Sequence, residues 1–348
     1  MRRGFTLAIA TAAALALAGV AFAANSASIS VSHSPMATSS SKSTTIHVAI
    51  PQATDPIARI AIYVPAGYSA NLGAAAGTTI GQVSASALAH DEGLILPLLG
   101  DVVADNPAAH TADATACVGG AAAAVWNLNL SVAGQTVQVP LYVNPTSGAE
   151  TALGSYRLVI CLPPPDVPVG TPGRAVFGVQ VLDAIFTVNG IFTTPGSAGT
   201  QGWQALFTPY NPGLGTADAA GTFEAQALVG LPVVAKAKAV SVKHKTYKVT
   251  GVVTAGGTGA AGVSVTLYRG ASSGKLVAAG SATTGTGGTF SFSGKLGKKP
   301  LFFQVQAKAS ERATACVSPL PATIAPAGCA GATLSGWNAT SATVKVKP

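Results

Sequence analysis

The chain has 348 residues, of which 9% are charged and 40 are glycine, and a formal net charge of +8. Small polar residues interrupt the apolar ones throughout. That composition argues against long helices and for many short strands joined by tight turns. The charge is unevenly placed. Residues 24–235 carry Lys42, Arg59, Arg157 and Arg174 against eleven acids, a net of −7; residues 236–348 carry twelve lysines and two arginines against Glu311 alone, a net of +13. This shift sets the expected domain boundary, with an acidic region at 24–234 and a basic one at 235–348.

At the N-terminus, Arg2 and Arg3 precede an apolar run from Phe5 to Val20, and Ala21-Phe22-Ala23 is an A-x-A cleavage site. Residues 1–23 therefore read as a secretory signal peptide. The Arg2-Arg3 pair ahead of Phe5 is similar to a twin-arginine signal, but Thr6 breaks its hydrophobic pair. No cysteine stands at the cleavage point to take a lipid anchor. Leu320-Pro321-Ala322-Thr323 resembles the start of a wall-sorting signal, yet Ile324 occupies the glycine position and no apolar tail follows. The expected product is a secreted, extracellular or envelope protein whose mature chain has no transmembrane segment. Taking 23 from 348 leaves 325 residues, enough for two or three domains with separate cores.

Strands are expected at Ser28–Ser32, Thr44–Ile50 and Ala58–Val64. In the last, Ile60, Ile62 and Val64 alternate with Ala61 and Tyr63, the period of a half-buried strand. Ser84 to His90 could form two helical turns. Ala112 to Ala124 holds helix formers, although Gly119-Gly120 argues against one long helix. The clearest hairpin pairs Trp126, Leu128, Leu130 and Val132 with Val137, Val139, Leu141 and Val143 across an Ala133-Gly134 turn. Pro140 marks an edge or a bulge, because proline donates nothing to a ladder. Ser155–Leu162, Ala175–Val188 and Gly221–Val234 read as further strands. The stretch between the last two, with Trp203, Phe207 and Tyr210, reads as irregular.

Four cysteines in an exported chain read as disulfides. Pairing within each region is the simplest of three connectivities: Cys117 with Cys161 and Cys316 with Cys329. Such loops contribute about 4 and about 3 kcal/mol in the loop-entropy account. No C-x-x-C is present to suggest metal or redox chemistry.

In the basic region, Tyr247 and Val249 alternate with Lys248 and Thr250, and Val263, Val265 and Leu267 alternate with Ser264, Thr266 and Tyr268. Leu276–Thr283, Thr289–Ser293, Leu301–Lys308 and Thr340–Lys347 complete the strands. The run "VTGVVTAGGTGAAGVSVTLYRG", then "ATTGTGGTFSFSGKL" and "FFQVQAKA", resembles the carboxypeptidase regulatory-like (transthyretin-like) sandwich domain. The matching positions are Gly251–Val253, Ala261–Leu267 and Thr284–Phe292, within about 65 residues. The resemblance implies a β-sandwich without catalytic residues of its own. The sequence departs from the pattern after Ala309, where a segment containing Cys316 and Cys329 is expected as an insertion, so a generic immunoglobulin-like sandwich stays open.

Candidate sites are few. His90, Asp91, Glu92, Asp101, Asp105, His110 and Asp113 form one polar cluster that could hold a metal or an acid/base pair on a long loop, but calcium-loop spacing and H-E-x-x-H are absent. G-x-S-x-G is absent too, and the cysteines are expected to be oxidised. Trp203, Phe207 and Tyr210 are expected to plug the core or the domain junction; if exposed, Trp203 and Tyr210 could stack on sugar rings. Lys295, Lys298 and Lys299 cluster at one turn, and Lys243, Lys245 and Lys248 on another strand; these six are the candidate anion-binding residues. The expectation is an all-β, two-sandwich, non-enzymatic binding or scaffold protein with no cofactor and no nucleic-acid partner. Its expected partner is an anionic envelope polymer, a glycan or another surface protein. A carbohydrate-binding module and a metal-dependent enzyme using the His90–Asp113 stretch are the alternatives.

Overall fold

The computed structural model describes residues 25–132, 135–242 and 245–348. The expected signal peptide, the Ala133-Gly134 turn, Lys243 and His244 lie outside the described residues. The fold is all-β, with the single α-helix among the described residues at Thr111–Val118.

Thirteen strands form the first sheet. Their spatial order is Ser28–Ser34, Ser43–Ala49, Val179–Asn189, Thr79–Ala89, Leu94–Asp105, Ala124–Val132, Gln135–Pro145, Tyr156–Cys161, Ile57–Val64, Gly199–Pro209, Phe223–Leu231, Cys329–Leu334 and Arg312–Thr314. The sheet curls around one apolar core without closing into a barrel. Its first strand packs back near Phe223–Leu231, and the Val31 N–H donates to Ser335 Oγ at 3.2 Å. The core follows from alternation: Ile29 and Val31, Ile46 and Val48, Ile60 and Ile62, Trp126 and Leu128, and Trp203, Ala205 and Phe207 all point inward.

In three places the structure departs from the sequence expectation. Ser84–His90 is not helical, because Val83, Ala85 and Ala87 alternate with serines and the whole of Thr79–Ala89 is strand. The Trp203–Phe207 stretch is strand rather than irregular, paired to Ile57–Val64 on one side and Phe223–Leu231 on the other. The polar stretch from Asp101 to Asp113 is not a long loop: Asp101 and Asp105 lie on a strand, and Asp113 lies on the helix, which Gly119 ends. Pro140 sits on a strand with neighbours on both sides, but its own partner is Asn127 alone. The ladder to Tyr156–Cys161 begins at Leu141, so on that side the proline interrupts no pairing.

At Pro232 the chain leaves the first sheet for a second sandwich. One layer holds Val233–Val242, Thr246–Ala255 and Thr289–Lys295; the other holds Lys275–Thr283, Ser264–Ser272, Leu301–Ala309, Trp337–Thr340 and Val344–Val346. Tyr247, Val249, Val253, Val265, Leu267, Phe290, Phe303 and Val305 fill the core between the layers. The residues behind the family resemblance have structural work here. Thr284 Oγ1 donates to Ala260 O at 2.6 Å and accepts from Val263 N at 2.9 Å, tying the turn to the strand it feeds. Gly288 has φ +73° and lies so close to Val253 O that a Cβ would collide with it.

The insertion after Ala309 does not belong to the second sandwich. Cys329–Leu334 pairs in parallel with Phe223–Leu231, and Arg312–Thr314 pairs with Cys329–Leu334, so both extend the first sheet. The Cys316–Cys329 bridge therefore closes a loop on the first half, and the division at residue 235 is crossed twice more by the chain. Leu320, Ile324 and Ala325 cover the outer face of the first sheet, against Ala61, Tyr63, Val159 and Leu206. The helix end and the Cys117–Cys161 bridge join the same cluster.

This excursion leaves and re-enters the second sandwich at one point, since Ala309 and Trp337 are paired across antiparallel strands. Their Cα atoms are then about 5 Å apart, a gap that a two-residue hairpin turn spans. A fragment joining 233–309 to 337–348 through Asn-Gly is expected to fold, with strand-type circular dichroism and one cooperative thermal transition. A gradual, non-cooperative melt would show that the second core needs the first half.

Candidate anion-binding face

The pairing of the second sandwich sorts its lysines. Across Val233–Val242, Thr246–Ala255 and Thr289–Lys295, directly opposed residues share a side of the sheet. Tyr247, Val249 and Val253 point into the core. The outward rows are then Lys236 with Val252 and Thr289, Lys238 with Thr250 and Ser291, Val240 with Lys248 and Ser293, and Val242 with Thr246 and Lys295. Lys236, Lys238, Lys248 and Lys295 are all exposed. Residues two apart on a strand stand about 7 Å apart on one face. The result is a field of four lysines set among hydroxyls and the valines Val240, Val242 and Val252.

Two of the sequence clusters become neighbours at one end of this field. The Leu296 N–H donates to Lys245 O at 2.7 Å, and Lys295 lies opposite Thr246. Lys245, Lys298 and Lys299 are thus exposed on two adjoining turns, with Lys295 exposed at the strand end beside them. Lys245 takes φ +54°, the left-handed conformation of a turn residue. Lys243 lies outside the described residues. Lys236 and Lys238 are additions to the expected set; their Lys-Ala-Lys-Ala alternation was a readable sign that both lysines share one face.

No acid balances this field. The sandwich formed by 233–309 and 337–348 contains no Asp or Glu at all, since Glu311 falls in the excursion. The ion pairs among the described residues are His47–Asp183, His110–Asp105, Arg157–Glu150 and Arg174–Asp91, all within the first half. Among the described residues, then, no ion pair joins the basic half to the acidic one.

The remaining candidates are dispersed. His90 Nε2 meets Gln180 Oε1 at 2.8 Å, and Asp91 takes a two-pronged ion pair from Arg174 at 2.6 and 2.8 Å. The hydrogen bond from Arg174 holds the Asp91 carboxyl below its ordinary range. At the other end of its strand, Asp105 accepts from His110 at 2.9 Å and from Asn127 at 2.6 Å, and the His110 bond holds it low as well. Among the described residues no group of three His, Cys, Asp or Glu side chains could hold a metal ion. Trp203 is completely buried, and Tyr210 is nearly so, with its hydroxyl donating to Leu162 O at 2.6 Å. Neither presents a ring to a sugar, which removes the basis of the glycan-stacking alternative.

Sequence reading missed two buried polar groups. Glu224 is fully buried; its carboxyl oxygens accept from Leu320 N at 2.8 Å and from Gln226 Nε2 at 2.6 Å. Gln226 Oε1 in turn accepts from Val317 N at 2.8 Å, so the pair holds the disulfide loop to the first sheet. The other is His33, whose ring is buried in the first half. Among the described residues no helix is long and apolar enough to cross a membrane. Compared with family models and with curated proteins, the sequence matches none of them.

Proposed function

We propose that this chain is an exported, non-enzymatic binding protein held to an anionic envelope polymer by the lysine face of its second sandwich. The observation that carries the reading is the total absence of acid from that sandwich, combined with four lysines in register on one outer face. Lysines that only guard strand edges need no such bias, because glutamates on the same face would serve equally. A surface this one-sided attracts anions over about 8–10 Å at physiological salt. The two disulfides favour an oxidising compartment. The resemblance of residues 251–292 to a sandwich family without catalytic residues points the same way.

With the whole mature protein, binding to anionic wall polymer or anionic vesicles is expected at low salt and release by about 0.5 M, where the screening length is well under 10 Å. Replacing Lys236, Lys238, Lys248 and Lys295 together with glutamine is expected to weaken low-salt binding by about tenfold or more, at about 1 kcal/mol or less for each charge near an anionic surface. Binding that ignores salt, or survives the fourfold change, would leave these lysines as solubility devices.

A further inference from the structure

The curled sheet of the first half is open at one end, and the opening holds a cavity of about 680 Å3. Its walls continue the core outward: Ala85 and Ala87 from one strand, Leu96 and Leu98 from the next, then Leu130 and Val139. Ala87, Leu98 and Leu130 are buried members of the core and make the floor. The space exists because two alanines stand where neighbouring strands carry leucine or valine.

The polar groups at this cavity are already committed. Gln180 donates from Nε2 to Thr54 O at 3.1 Å and meets His90 through Oε1. Arg174 spends its fork on Asp91 and its Nε on Val167 O at 2.7 Å. Glu92 is exposed at the rim and has no ion-pair partner among the described residues. Nothing here neutralises an anionic head, and Glu92 repels one.

The lip is unusual. Val176 and Phe177 are 71% and 56% exposed, and Phe177 has φ +54°, a costly conformation for a bulky residue. It is held there by Asp91 N donating to Phe177 O and His90 N to Gly178 O, both at 3.2 Å, beside the Asp91–Arg174 pair. The backbone is thus fixed in a strained turn that leaves an aromatic ring exposed at the mouth of an apolar cavity.

We infer that this opening is a binding site for a neutral apolar molecule, a hydrocarbon chain or ring system without an anionic head, entering the open end of the sheet beneath Phe177. The volume lies within the range of about 300–1,000 Å3 that small-molecule pockets occupy, and mouths of curled sheets are common places for them. The site is in the other half from the lysine face and stands independently of it.

The test is fluorescence titration of the whole mature protein with the neutral probe N-phenyl-1-naphthylamine. Saturable binding at one site per chain is expected, unaffected by salt and displaced by dodecanol. Dodecanoate should displace it at least about tenfold less well, because its carboxylate faces Glu92 and has no cation to meet. Ala85→Phe, which fills the cavity, should weaken the probe about tenfold or more with the melting curve retained. Should that variant fold poorly, Phe177→Gly decides, since glycine relieves the left-handed strain and removes the ring; it should weaken binding several-fold in a protein at least as stable. Absence of saturable binding overturns the proposal. So does binding unchanged in the variants that fold, or sedimentation showing the mouth closed by a second copy of the chain. Equal displacement by dodecanoate overturns the neutral-ligand assignment.

Discussion

Between pH 6.5 and pH 4 the first half is expected to lose about 3 kcal/mol of stability through one side chain, His33. The ring is buried, with Nδ1 3.1 Å from Thr44 Oγ1 and Nε2 2.9 Å from the Tyr68 hydroxyl, and it lies 6.3 Å from the Trp203 ring. Both contacts suit a neutral imidazole, because each hydroxyl can donate or accept and so satisfies either tautomer. Neither contact supplies a carboxylate to stabilise the imidazolium. Burial pushes the His33 pKa down from 6.5 to about 4. In that window the unfolded chain binds a proton that the folded chain refuses, so stability falls as the pH falls; above pH 6.5 the term is flat. Asp91 and Asp105, both held low, add their own loss of stability only as the pH falls into the ordinary carboxylate range, about 4, and on below it. Urea unfolding followed by the fluorescence of buried Trp126 and Trp203 should show the loss. His33→Gln should be about 1 kcal/mol less stable than the parent at pH 7.5 and more stable than it at pH 4.5. Parallel pH profiles for the two proteins would sink this account.

Glu224→Ala is expected to lower the melting temperature by about 6–12 °C and to free the segment from Arg312 to Leu334. The carboxyl is the acceptor for Leu320 N and Gln226 Nε2, and through Gln226 it orients the acceptor for Val317 N. Removing it leaves buried donors unsatisfied and a cavity beside them, about 3 kcal/mol together, at about 2–4 °C per kcal/mol for a body of this size. The Cys316–Cys329 loop would then be held by the parallel ladder, by the backbone bonds of Ala327 N to Thr222 O and Glu224 N to Gly328 O, and by the apolar contacts of Leu320, Ile324 and Ala325. Limited proteolysis should cut the variant within 312–328 while the parent stays intact. Glu224→Gln keeps one acceptor oxygen and should lose about half as much. A melt within 1–2 °C of the parent and an uncut loop would mean that the packing alone holds the segment, since surface-type substitutions stay within that range.

Local signals were sufficient for the strands and for much of the candidate face. Alternation at Ile60–Val64, Trp126–Leu130 and Val263–Leu267 marked the core faces, because core-facing residues of a strand stand two apart, but the half-buried reading of Ile60–Val64 missed that Ala61 and Tyr63 are buried on its other face as well. The lysines and the lack of acid were equally plain in the chain. That the turns at Lys245 and at Lys295–Lys299 adjoin was settled by register: Thr246 pairs with Lys295 because the buried set of each strand must face the same core. Partner choice over long separations was decided only by the tertiary structure. Cys329–Leu334, "CAGATL", carries no pattern that names a partner, and it finds Phe223–Leu231 because that strand offers an open edge and two polar side chains needing donors. Glu224 and Gln226 alternate with buried Phe223, Ala225 and Ala227 and so read as a solvent face; the disulfide loop that covers them arrives from about 90 residues further along the chain. Trp203 read as a core or junction plug with sugar stacking as the alternative, and its full burial, by strands from both ends of the chain curling around it, fits the first reading. The cavity beneath Phe177 has no sequence signature at all: an alanine pair is unremarkable until the curvature of thirteen strands sets it opposite side chains too far away to fill the gap.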